Sequence, residues 1–135
     1  MGNKENIGLY EKHKVLLNIT PIHCSAGWDE ILDEMLSTIK IYMDVNQEKY
    51  NILPITFISI KEKFGVLEIS ATGGDEVTQE IINFTTKLSY KTCEFCGKIG
   101  LLYCSTKWLR WSFTKTLCKN HAASLLYYNI THGNK

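Results

Sequence analysis

The chain has 135 residues and a mass of 15.5 kDa, with 44% hydrophobic residues, 21% charged residues and only two prolines. That composition implies a packed core and excludes a disordered polymer, and the length suits one domain. The net charge of +1 points to no partner, but it is unevenly divided: residues 1–86 hold seven lysines against thirteen acids, whereas residues 87–121 hold six lysines, Arg110 and the single acid Glu94. An acidic body is therefore expected, joined to a basic end.

Residues 1–14 read as a polar, loosely held start, with no apolar core of a signal peptide and no Ser or Thr at Asn6 to complete a myristoylation signal. No apolar run approaches a membrane span, so no membrane partner is expected and the expected compartment is the cytoplasm. There cysteines stay reduced, and paired ones serve metals more often than disulfides. Next comes "VLLNI", a candidate strand, and the loop "TPIHCSAG". Cys24 in that loop reads as a buried thiol, and His13 and His132 as solvated.

From Trp28 the apolar residues fall at Ile31, Leu32, Met35, Leu36, Ile39 and Tyr42, the spacing of an amphipathic helix with one buried face. Asp29, Glu30, Asp33 and Glu34 crowd its first two turns, where carboxylates suit the positive end of the helix dipole. The period changes in "LPITFISIKEKFGVLEIS", where Phe57, Ser59 and Lys61 alternate with Ile58 and Ile60. Two strands turning at Gly65 are expected, with Pro54 opening the first. Helical spacing resumes through Val77, Ile81, Phe84 and Leu88, with Asp75 as N-cap.

The last segment, "TCEFCGKIGLLYCSTKWLRWSFTKTLCKNHA", carries two half-sites, C-x2-C and C-x2-H. Four donors are the usual requirement of structural zinc, and Cys93, Cys96, Cys118 and His121 supply them. Two residues between cysteines let one tight turn aim both sulfurs at a single ion, and Gly97 eases the left-handed backbone of such turns. Cys118 and His121 share a face if a helix begins at Cys118. Knuckle, hairpin and helix in that order form a treble-clef-like module. Cys104 lies in the expected hairpin and is an alternative ligand to His121.

Four side chains close the coordination shell, whereas catalytic zinc keeps a position open for water. A zinc deaminase would need an H-x-E segment and P-C-x-x-C, and an H-N-H nuclease would need a histidine between Cys93 and Cys118; neither is present. "TGGDE" is a turn before a helix rather than a phosphate loop. The expectation is one structural Zn2+ and no enzymatic activity.

"GWDEIL", "SIKEKFGVLEIS", "TCEFCGKIG" and "TLCKNHA" together make the chain resemble a group of small, uncharacterised bacterial and phage-associated proteins, over roughly residues 24–122. The resemblance implies the same ligand role for Cys93, Cys96, Cys118 and His121 and brings no activity with it. "LLYCSTKWLRWSFTK" departs from the group in being richer in aromatics than the short basic hairpin expected there.

The expected fold class is α+β: a single domain over residues 1–135, with a helix–hairpin–helix body (15–90) and the zinc module (91–128). Two functional expectations compete. In one, the chain is a protein-binding module, an inhibitor or immunity protein that neutralises a partner such as a basic toxin domain through Asp29, Glu30, Asp33 and Glu34. Against that stands the plainer role of those acids in capping and solubilising a helix. In the other, the basic aromatic hairpin binds nucleic acid, with Lys107, Arg110 and Lys115 on phosphates and Trp108 stacking on bases. Strand alternation would put Leu109, Trp111 and Phe113 on the opposite, core-facing side.

Overall fold

The computed structural model describes residues 6–105, 113–124 and 128–129. The chain is α+β. Its elements run α1 (Ile7–Lys12), α2 (Lys14–Leu17), β1 (Ile22–His23), a 3-10 turn (Ala26–Trp28), α3 (Asp29–Asn46), β2 (Leu53–Lys63), β3 (Val66–Gly74), α4 (Glu76–Ser89), β4 (Leu101–Ser105), β5 (Phe113–Leu117), α5 (Lys119–Ser124) and β6 (Tyr128–Asn129).

The start of the chain differs from the sequence expectation. Ile7–Lys12 and Lys14–Leu17 are two short helices meeting at His13, and "VLLNI" contributes to the second of them rather than to a strand. The cause is tertiary. Leu9 and Leu17 join the body core, and His13 is buried with its Nε2 2.7 Å from Asp33 Oδ1 on α3 instead of being solvated. Elements this short do not hold in isolation and depend on such packing.

Helix α3 follows its expected period and buries Leu32, Met35, Leu36, Ile39 and Met43, with Trp28 completely enclosed at its N-terminus. The first sheet has the order β1-β2-β3, with β1 parallel and β3 antiparallel to β2. The hairpin turn is Phe64–Gly65, whose φ values of +52° and +86° are those of a type I′ turn. Strand β2 does not alternate strictly. Irregularities between Leu53 and Thr56 and between Phe57 and Ser59 shift the register, so Ile55, Phe57 and Ile60 are buried while Ile58 is 51% exposed.

Helix α4 opens with a capping box, Thr78 N–H donating to Asp75 Oδ1 and the Asp75 N–H to Thr78 Oγ1. Its buried stripe is Thr78, Ile82, Thr85 and Ser89, not the Val77–Ile81–Phe84–Leu88 stripe that the sequence pattern marks. The short polar residues let α4 lie close to the sheet, and the Ser89 hydroxyl accepts the Leu67 N–H. The second sheet, β5-β4-β6, is antiparallel and carries the C-terminal cysteine cluster.

Candidate metal centre

After α4 the chain enters a knuckle closed by two backbone hydrogen bonds, Cys93 N–H to Lys98 O at 2.7 Å and Gly97 N–H to Cys93 O at 2.9 Å. Gly97 has φ +80°, the left-handed conformation that the turn requires of it. Strands β4 and β5 then return the chain so that Cys118 stands just before α5, and His121 lies in the first turn of that helix. Cys93, Cys96, Cys118 and His121 come together with donor atoms within 4.8 Å of one another, a set compatible with a metal ion. Cys96 Sγ lies 3.8 Å from Cys118 Sγ, and His121 Nδ1 lies 3.6 Å from Cys93 Sγ and 3.2 Å from Cys118 Sγ. Cys104 is on β4 and outside the set.

The surroundings favour anionic sulfur at one ligand in particular. The His121 backbone N–H donates to Cys118 Sγ at 3.4 Å, and together with the imidazole it outweighs burial and draws the Cys118 thiol down to about 6. At Cys96 the Lys98 N–H works downward, but burial and the neighbouring sulfurs of Cys93 and Cys118 push that thiol up. The Phe95 ring meets the His121 ring edge-on, with centroids 5.6 Å apart, and orients the imidazole.

The motifs singled out in the sequence converge beneath this cluster. Gly27 N–H donates to Glu94 O at 2.7 Å, and Trp28 Nε1–H donates to Thr92 O at 2.9 Å. Glu94, the only acid of the basic end, is just 2% exposed; its carboxylate receives Lys115 Nζ at 3.0 Å and the Ser25 N–H at 3.3 Å. Lys115 also lies 3.2 Å from Glu62 at the hairpin tip. Burial works to lower the Lys115 ammonium, yet Glu94 and Glu62 hold it above the usual amine range. Thr116 Oγ1–H donates to Gly65 O at 2.6 Å, and a Cβ at Gly65 would come 2.7 Å from Leu102 Cδ1. "GWDEIL", "KEKFG", "CEFCG" and "TKTLC" are thus the two halves of a single junction between body and metal module.

The other candidate residues are dispersed. Asn6 Nδ2–H donates to Asp29 at 2.7 Å, while Asp33 receives Lys12 and His13, whose hydrogen bonds keep its carboxyl below the usual range. Of the acidic group only Glu30 and Glu34 face solvent. Lys107, Trp108 and Arg110 lie outside the described residues. Lys115 is engaged by two carboxylates. The junction residues Glu94 and Lys115 escaped sequence reasoning as a pair, although one acid within a basic stretch was a visible sign that Glu94 has a fixed partner. No helix among the described residues is long and apolar enough to cross a membrane.

No protein-family model, curated protein or solved structure matches this chain.

Proposed function

We propose that the chain is a non-catalytic protein-binding module held together by one structural zinc ion, acting as an inhibitor or immunity protein against a basic partner such as a toxin domain. The observation that carries this reading is the closed Cys3His donor set. With zinc bonds of about 2.3 Å to sulfur and about 2.0–2.1 Å to nitrogen, a regular tetrahedron has S–S edges of about 3.8 Å and S–N edges of about 3.5 Å. The separations of 3.8 and 3.6 Å lie close to those edges and that of 3.2 Å is shorter, while the four donor atoms as a set lie within 4.8 Å of one another. Three thiolates and an imidazole suit zinc in preference to the harder cations, and they leave no open position for an activated water.

The acidic body supplies charge complementarity for a basic partner. Nucleic-acid binding through residues 107–115 is weakened by the commitment of Lys115 to Glu62 and Glu94, and by the repulsion a polyanion would meet from the body.

Native mass spectrometry of the protein purified from its host, with and without chelator, tests both parts. One zinc and a stoichiometric protein partner are expected. Co-purifying nucleic acid would overturn the partner assignment, and a metal-free chain would overturn the ligand assignment.

A further inference from the structure

Helix α4 has two unlike stripes. The inner one, Thr78, Ile82, Thr85 and Ser89, is buried against the sheet. The outer one, Val77, Ile81, Phe84 and Leu88, is more apolar yet only partly covered, with Phe84 63% and Val77 44% exposed. With Ile31 and Met35 of α3 it lines an open groove of about 570 Å3. The i, i+4, i+7, i+11 spacing is that of a helix face that packs against a neighbour, and α3 covers it only in part: Ile81 packs against the body core while Phe84 and Val77 stay exposed. Glu34 stands on the α3 wall and Glu80 on the α4 wall. Among the described residues neither takes part in an ion pair, and no basic side chain lines the groove.

We propose that the α3–α4 groove docks an amphipathic helix of another protein, whose apolar ridge packs on Ile31, Ile81 and Phe84 and whose flanking Lys or Arg side chains meet Glu34 and Glu80. This rests on the protein-binding reading above and adds to it the surface and the chemistry of the partner. The helix-in-groove mode uses apolar anchors at helical spacing for affinity and rim charge for selection. A second copy of this chain is the poorer occupant. A two-fold contact is self-complementary, so it would bring Glu34 and Glu80 of both copies to one apolar strip.

Two labelled helical peptides with the same Leu/Ile ridge, one flanked by Lys and Arg and the other by Glu, test the proposal against the full-length, zinc-loaded protein. The basic peptide is expected to bind, with methyl shifts confined to Ile31, Val77, Ile81 and Leu88, and the acidic one at least about tenfold more weakly. Phe84→Ser is expected to cost about tenfold in affinity, and E34Q/E80Q to erase the preference between the peptides while leaving the fold intact. Equal binding of both peptides, binding of neither, shifts elsewhere, or a dimer broken by Phe84→Ser would overturn it. A natural partner that still binds the Phe84→Ser, E34Q/E80Q protein would sink this groove but not the protein-binding reading; absence of any protein partner would sink both.

Discussion

Gly27 and Glu94 are joined backbone to backbone, the Gly27 N–H donating to the Glu94 carbonyl at 2.7 Å, so that the loop before α3 and the cysteine knuckle touch main chain to main chain at this point. A Cβ at Gly27 would overlap the carbonyl oxygens of both Cys93 and Glu94, backbone atoms that cannot swing aside. Gly27→Ala is therefore expected to destabilise the metal-loaded protein by about 3 kcal/mol. The shift in urea midpoint measures it; a change below about 0.5 kcal/mol would mean that the two segments do not pack this closely.

The Glu94–Lys115 pair is expected to behave as a buried ion pair. Glu94→Ala leaves the half-buried Lys115 with Glu62 alone and is expected to cost about 2 kcal/mol, whereas Glu94→Leu combined with Lys115→Met is expected to recover most of that loss. Thermal or urea unfolding of the single and double variants gives the coupling. Additive losses would show the two side chains to be energetically independent.

Metal removal is expected to act unevenly. The body has its own buried cluster, from Leu9 to Ile82, while the module's cluster is Cys93, Tyr103, Leu117, Cys118 and Ala122, two of which belong to the candidate donor set. Chelation is expected to dissolve the module's packing, to leave most helical circular dichroism from α3 and α4, and to lower the melting temperature by roughly 10 °C or more. Cys93→Ser should reproduce this and Cys104→Ser should not. Identical melting curves with and without chelator would refute the assignment of the four ligands.

Asp33 gives the pH dependence a definite sign. Its folded-state carboxyl is lowered by the hydrogen bonds from His13 and Lys12, so its contribution is complete above the unfolded value of about 3.9 and is lost as pH falls through the lower folded value. Asp33→Asn is expected to remove part of the acid destabilisation that sets in as pH falls below the unfolded carboxyl value of about 3.9. Parallel stability–pH curves for the two proteins across the acid range would contradict the His13–Asp33 contact.

What the sequence made legible was what is encoded locally. The two half-sites of the metal cluster, the period of α3 and the Asp75 cap each lie within a few residues of their partners, so spacing alone reveals them. The hairpin was legible for the same reason, through Gly65. What escaped depends on partners far along the chain. His13 is buried because Asp33 of α3 faces it, and α1 and α2 form because Leu9 and Leu17 find the core. The rule that apolar stripes face inward failed at α4, where Thr78 and Thr85 allow close approach to the sheet and the Phe84 stripe stays on the flank. The irregularity after Phe57 likewise brought Ile60 to the same side as Phe57 and away from that of the exposed Ile58, a parity change that no alternation pattern announces.

The placement of the junction has a consequence for the order of assembly. Everything the body core needs, from Leu9 to Ile82, is synthesised before the first cysteine of the cluster, while the partners of Gly27 and Gly65 are Glu94, Leu102 and Thr116. A growing chain can thus collapse its body early and present a preformed seat, onto which the knuckle and hairpin would settle once a bound ion had gathered Cys93, Cys96, Cys118 and His121. The slow step of maturation would then be metal delivery rather than a search through chain conformations. Adding zinc to the chelated protein should restore native fluorescence at a rate that follows zinc concentration.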